Sequence, residues 1–148
     1  MKENIDPKMH TAQHLLNQTM VRMFNSGRSF SSHIEKKKSK CDYRFDRVLT
    51  PEEVAEIQNQ VNKIIQEDLP VTEEYVPREE AQEKYSPGRP IEDMDETVRI
   101  VRIGDYDAIP CTGPHVESAK EIGQFRIISS DFNEGVLRIK YKLSALIP

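Results

Sequence analysis

Ala12, Leu15, Leu16, Thr19, Met20 and Met23 recur at intervals of three and four residues, and at about 100° per residue they line one stripe of a helix. Such a stripe is stable only when another layer covers it, so the rest of the chain must supply that layer. Asp6 is placed to cap the helix and Pro7 to occupy its first position, where the missing N–H costs nothing. Asn25-Ser26-Gly27 ends it.

The covering layer is legible downstream. Phe30 to Ile34 and Cys41, Tyr43, Phe45 read as two strands of a hairpin joined by a lysine-rich turn. Thr50-Pro51-Glu52-Glu53 is a capping box with proline at the first helical position, and Val54, Ile57, Val61, Ile64 and Ile65 give the helix behind it an apolar face that ends before Pro70. Val71 to Val76 reads as a short strand and Arg78 to Tyr85 as a short helix. Ser86-Pro87-Gly88-Arg89-Pro90 is a loop by composition, continued by Glu92 to Glu96. Thr97 to Ile103 is a strand of high β-propensity, and Phe125 to Ser129 and Val136 to Leu143 flank Asn133-Glu134-Gly135 as a last hairpin. These elements predict an α+β fold, an antiparallel sheet covered by two long helices, with no internal repeat.

At 148 residues, 36% of them hydrophobic, the chain suits one domain over 1–148 with a real core. No apolar run approaches the roughly 18 residues of a membrane span, and Met1 to Pro7 is polar, so a cytoplasmic protein with no membrane partner is expected. Two cysteines, Cys41 and Cys111, make a disulfide framework improbable, and Cys41 reads as a small buried residue. A net charge of −4 argues against a wide electrostatic footprint on a nucleic-acid backbone, so any such contact should be local. Lys36-Lys37-Lys38 with Lys40 is the only dense basic run, either a solvated turn or a phosphate contact.

His10 and His14 lie four residues apart, so on the first helix their side chains differ by about 40° and can grip one ion. The same arithmetic puts them about 160–200° from the centre of the apolar stripe, which leaves a merely solvated polar face as the bland alternative. Cys111-Thr112-Gly113-Pro114-His115 repeats the interval in a segment whose Gly113 and Pro114 exclude a helix, and such a turn can bring thiolate and imidazole to one point. A buried cysteine beside a surface histidine is the alternative there. Three of the four histidines and one of the two cysteines fall in these pairs, and mixed His/Cys sets are the usual donors to Zn2+. Four protein ligands usually close a structural zinc, whereas catalysis needs an open position. An open mononuclear site requires one residue to stand back from the metal, or coordination to expand to five.

His10-Thr11-Ala12-Gln13-His14-Leu15-Leu16 followed by Cys111-Thr112-Gly113-Pro114-His115-Val116 and Glu121-Ile122-Gly123 resembles the paired signature of the alanyl-tRNA synthetase editing domain and its short, free-standing AlaX relatives. Ser31-Ser32-His33-Ile34 and Pro77-Arg78-Glu79-Glu80-Ala81 resemble the family in order and spacing. The family more commonly carries Cys-Gly-Gly-Thr-His. Pro114 instead resembles the Cys-x-Gly-Pro-His of the threonyl-tRNA synthetase editing domain, in which related residues work without metal.

The resemblance implies an editing-domain-like fold and an aminoacyl-tRNA deacylase. Its partner is the tRNA acceptor end carrying a misattached amino acid, serine or glycine on the alanine tRNA. His10, His14, Cys111 and His115 are the implied metal and catalytic residues, with zinc either activating water or polarising the ester carbonyl. Ser31 matches in spacing a hydroxyl residue that lines the pocket in AlaX-like proteins. Ser32, Thr11 and Thr112 follow as further substrate-binding candidates, Lys36, Lys37 and Lys38 as phosphate contacts, and His33 as a strand histidine or a neighbour of the cleft. The rival functions are metal-independent threonyl-type editing, a zinc hydrolase for another small ester or amide, and a non-catalytic module with structural zinc.

Overall fold

The computed structural model describes residues 5–86, 91 and 95–145. Helix α1 runs Pro7–Phe24, with the Asp6 carboxylate accepting from the N–H groups of Lys8 and Met9 and Asn25 ending it at a left-handed φ of 54°. Strands β1 (Ser31–His33) and β2 (Ser39–Arg44) form the expected hairpin. Helix α2 (Pro51–Glu67) opens on the expected capping box, in which Thr50 and Glu53 each satisfy the other's backbone N–H. Strand β3 (Val71–Pro77) runs into the short helix α3 (Arg78–Glu80), which widens to a π turn through Tyr85. Then come β4 (Thr97–Ile103), β5 (Asp107–Pro110), a 3-10 turn over Ala119–Ile122, β6 (Gln124–Asn133) and β7 (Val136–Ser144). The expected loop over Ser86–Pro90 and its continuation from Glu92 lie mostly outside the described residues.

The strands form two antiparallel sheets rather than the single sheet expected: β1-β2-β7-β6 and β3-β4-β5. The α+β class stands, and the difference has a physical cause. Val98 and Ile100 of β4 bury against Val76 and Ala81 in a small cluster of their own, so β3 and β4 satisfy each other without joining the larger sheet. Strand β5 was not foreseen; it pairs with β4 from Ile100↔Pro110 to Ile103↔Asp107.

The main core lies between the helices and the four-stranded sheet. Leu15, Leu16 and Met20 of α1, Ile57, Val61 and Ile65 of α2, and Tyr43, Ile139, Tyr141 and Phe125 of the sheet are all fully buried in one cluster. Each such aliphatic side chain contributes about 1.5–3 kcal/mol through burial. The buried tyrosine hydroxyls are satisfied, Tyr43 donating to Asn17 Oδ1 at 2.7 Å and Tyr141 to the Met9 carbonyl at 3.0 Å. Asn62 of α2 exchanges two hydrogen bonds with the Phe125 backbone, and Gln58 accepts from Ile127 N–H, so α2 closes the outer edge of β6. Gly123 sits at φ 92° where a Cβ would overlap the Ser144 carbonyl, which fixes glycine at the entry to β6. No helix among the described residues is long and apolar enough to cross a membrane.

Candidate metal centre

Helix α1 is buried on two faces. Its apolar stripe meets the core, and the opposite face, which a solvated-helix reading would leave wet, is covered by the segment 107–116. His10 is 6% exposed and His14 2%. The covering segment is held by backbone-directed contacts: the Arg99 guanidinium donates to the carbonyls of Cys111 (3.3 Å) and Gly113 (2.8 Å), and Cys111 N–H bonds the Arg99 carbonyl at 3.1 Å.

This docking brings His10, His14, Cys111 and His115 together, one donor atom from each lying within 4.8 Å of the others. Cys111 Sγ is 3.4 Å from His10 Nε2 and 3.6 Å from His115 Nε2. A tetrahedral zinc with Zn–N of about 2.1 Å and Zn–S of about 2.3 Å has N···S edges of about 3.6 Å, which the two Sγ–Nε2 separations match, and the donor kinds suit that ion.

The remaining ring nitrogens decide which lone pairs face the centre. His10 Nδ1 lies 3.0 Å from the Pro114 carbonyl, which only accepts, so Nδ1 carries the proton and Nε2 the lone pair. Thr11 Oγ1 donates to the Pro7 carbonyl at 2.9 Å and therefore accepts from His115 Nδ1 at 2.9 Å and from Val116 N–H at 3.3 Å. His115 Nε2 is thereby left as a lone pair as well. His14 Nδ1 is buried without a hydrogen bond, 3.6 Å from Asp107 Oδ2. A carboxylate behind each imidazole, or a carbonyl or hydroxyl in its place, is the arrangement that orients histidines toward a metal.

Asp107 is itself held, by Arg28 through two bonds of 2.9 and 3.1 Å and by Gln18 at 3.0 Å. Burial pushes its carboxyl up, but His14 and Arg28 outweigh burial and leave it below the usual carboxylate range. Burial lowers His14, with Asp107 partly restoring it, and burial together with the neighbouring His14 and His10 brings His115 down to about 2. Both rings are therefore neutral near pH 7, the state a metal ligand requires.

The centre opens on a cleft of about 660 Å³ lined by His10, His14, Cys111, Ser31, Ser32, Thr112, Arg99 and apolar Phe30, Val98 and Ile109, among others. Ser31 and Thr112 thus line the cleft. Ser32 does too, although its hydroxyl is engaged with Gln13 and Ser29. Thr11 does not: it is fully buried and its hydroxyl is consumed at His115, which corrects the expectation of a substrate contact. Lys36, Lys37 and Lys38 are exposed in the β1–β2 turn and do not line the cleft, and His33 is exposed and ion-paired with Glu35. Cys41 is buried among the sheet residues, its thiol pushed up to about 11 by burial. Asp107, Arg28 and Arg99 were not anticipated. The one available signal was Asp107 standing four residues before Cys111, the interval that separates the ligands within each pair.

Residues 98–140 match the model of the threonyl and alanyl tRNA synthetase second additional domain. The alanine–tRNA ligase of Aeropyrum pernix is 34% identical over 140 residues, covering 89% of this chain and 15% of the ligase. That of Fervidobacterium nodosum is 31% identical over 142 residues, covering 95% and 16%, and that of Treponema denticola 32% over 133 residues, covering 88% and 22%. The chain therefore spans 15–22% of the length of these relatives.

Proposed function

Because this chain is a relative of the second additional domain of threonyl and alanyl tRNA synthetases, we propose that it hydrolyses the ester joining a wrongly attached amino acid to the terminal ribose of tRNA. Seryl and glycyl esters of the alanine tRNA are the proposed substrates. The observation that supports this reading is the convergence of three imidazoles and one thiol beside an open cleft that His10, His14 and Cys111 line.

His10, His14, Cys111 and His115 would hold zinc, which when bound supplies Lewis acidity toward a water or the ester carbonyl. The chain's own residues do the rest. Thr11 and the Pro114 carbonyl keep the lone pairs of His115 and His10 on the centre, Asp107 stands 3.6 Å behind His14 Nδ1, and Arg99 fixes the loop that carries Cys111. Phe30, Val98 and Ile109 give the cleft apolar wall that limits water around the ester. Ser31, with Thr112 nearby, is the proposed partner for a seryl hydroxyl, because alanine is smaller than serine and cannot be excluded by size. With four side chains converging at the centre, the ester would approach from the cleft side, where His10, His14 and Cys111 face open space. The Pro114 form of the motif supports a second reading, in which the same ester is cleaved without metal and an imidazole takes the proton.

A deacylation panel of seryl-, glycyl-, threonyl- and alanyl-tRNA, run on native and chelator-treated protein, tests both. Seryl or glycyl release that stops on chelation and returns with zinc supports the first reading, and release that survives chelation supports the second. Inactivity on every tRNA ester, with turnover of a small free ester, would sink both in favour of a different hydrolase. Inactivity with unfolding on chelation would leave a structural zinc module.

A further inference from the structure

Strand alternation separates the two faces of the four-stranded sheet. Cys41, Tyr43, Leu137, Ile139 and Tyr141 enter the core, so Lys40, Lys140 and Lys142 stand on the opposite face, away from α1 and α2. The register then places cations side by side across strands: Lys40 opposite Lys140, and Lys142 opposite Arg126 of β6. Residues 36–38, all lysine, are exposed in the β1–β2 turn that leads into Lys40. Arg126 and Lys142 are exposed and Lys40 and Lys140 half-buried. None of these cations makes an ion pair among the described residues, whereas Arg138 in the next row is held by Asp42 through bonds of 2.8 and 3.0 Å.

Like charges placed directly opposite on one face are destabilising. A chain with net charge −4 thus gathers on this face cations of which only Lys40 acts on a nearby carboxylate, that of Asp42, and none is held in an ion pair among the described residues. The patch also has a defined relation to the cleft. Ser31 and Ser32 of β1 line the cleft, while His33 of the same strand pairs with Lys40. At about 4.8 Å between strands, the cationic rows reach roughly 15 Å outward from the strand that forms the cleft's lip.

We infer that this sheet face is the docking surface for the phosphate backbone of a double-helical RNA stem, whose single-stranded 3′ end then enters the cleft beside β1. The inference rests on the proposed function for the identity of the RNA, the acceptor stem of the substrate tRNA. Charge complementarity supplies the argument, since contacts to phosphate orient a duplex without reading its sequence. The sequence conceals the patch because Lys40, Arg126, Lys140 and Lys142 are spread over three strands.

The test uses Lys140→Gln/Lys142→Gln, which leaves the lysine turn intact, against Lys63→Gln/Lys120→Gln as a control of equal charge change elsewhere on the surface. Binding of deacylated alanine tRNA is measured against salt concentration, with thermal melting to confirm the fold. Each lost phosphate contact flattens the log–log salt slope by about 0.9. The sheet-face pair is therefore expected to flatten it by about 1.8, a difference of roughly tenfold in affinity loss between 50 and 200 mM salt. An unchanged slope, or an equal change in the control pair, overturns the inference. Unchanged tRNA binding together with lysine-dependent sedimentation with phosphatidylserine vesicles would overturn it in favour of a lipid surface. Release of serine from 3′-seryl-adenosine, which has no backbone, should be equal in all variants. Its absence throughout, with a flattened slope in the sheet-face pair, refutes the proposed reaction and leaves the RNA surface standing.

Discussion

Replacing Thr11 with valine removes one hydroxyl and almost no volume, from a residue that is fully buried. That hydroxyl gives its proton to the Pro7 carbonyl and receives those of His115 Nδ1 and Val116 N. Two donors lose their acceptor, and an unsatisfied buried donor costs about 1–3 kcal/mol. The Val116 contact is long at 3.3 Å, so about 2–4 kcal/mol is expected in all. For 148 residues at about 2.1 cal/mol/K each, this lowers Tm by about 6–13 °C. The second consequence is chemical. Without an acceptor, His115 no longer favours the tautomer with its proton on Nδ1, and the lone pair aimed at the centre is lost in a fraction of molecules. Zinc affinity should fall about 10–100-fold, the usual effect of losing an orienting partner. Competition with a chromophoric chelator reads the affinity, calorimetry reads Tm, and Thr11→Ser should restore both. If Thr11→Val keeps wild-type Tm and zinc affinity but loses hydrolysis, the threonine acts on the substrate and the orienting role is wrong.

Asp107→Asn leaves Arg28 facing a neutral amide, and because the Arg28 side chain is 19% exposed the loss should be about 2–3 kcal/mol, below the 3–5 of a fully buried pair; melting and zinc competition both measure it. Since the Asp107 carboxyl titrates lower folded than unfolded, its contribution is present above about pH 4 and is lost as pH falls through the folded value, so the variant's stability should fall less steeply there. His14 and His115 are also lowered in the folded state, so the metal-free protein is expected to lose stability as pH drops below about 6.5, by about 1.4 kcal/mol per unit for each ring, as urea titration at several pH values would show. A flat profile from pH 7 to 5 would contradict the burial of neutral imidazoles. Ser31→Val should fold and retain metal but lose preference for seryl over alanyl ester by about 1–3 kcal/mol, read as the ratio of kcat/KM values, and an unchanged ratio would move that role to Thr112.

Local chemistry made much of this molecule legible in its sequence. Asp6 and Pro7 set the start of α1, Thr50 and Glu53 that of α2, and the β-rich run Thr97–Ile103 coincides with β4. The two pairs that cluster at the candidate centre were legible because His10 and His14 share a helix face and Gly113-Pro114 forces a turn. Strand β5 was not, since four residues containing an aspartate and ending in proline carry no strand signature, and β4 alone makes them a strand. Division into two sheets was hidden because it depends on which strands pair, and Val98 with Ile100 found partners in Val76 and Ala81. Burial of His10 and His14 depends on a segment a hundred residues away, and Asp107 with Arg28 is a pairing across 79 positions. Polar residues of that kind look like surface until the chain is closed.

The middle of helix α1 is covered on both its apolar face and its histidine face. Leu15 and Leu16, directly after His14, are locked into the core, and of the three residues between the two histidines Thr11 and Ala12 are also fully buried. The helix is therefore shared: a void opened behind Leu16 is expected to shift the backbone that also carries His10 and His14. Core packing and the candidate centre therefore draw on the same 18 residues. Substitutions tolerated in the core of α2, which carries none of the four clustered side chains, should leave the proposed deacylation unchanged, while equally conservative ones in α1 should alter it. Any effort to make this protein more heat-resistant should begin on α2.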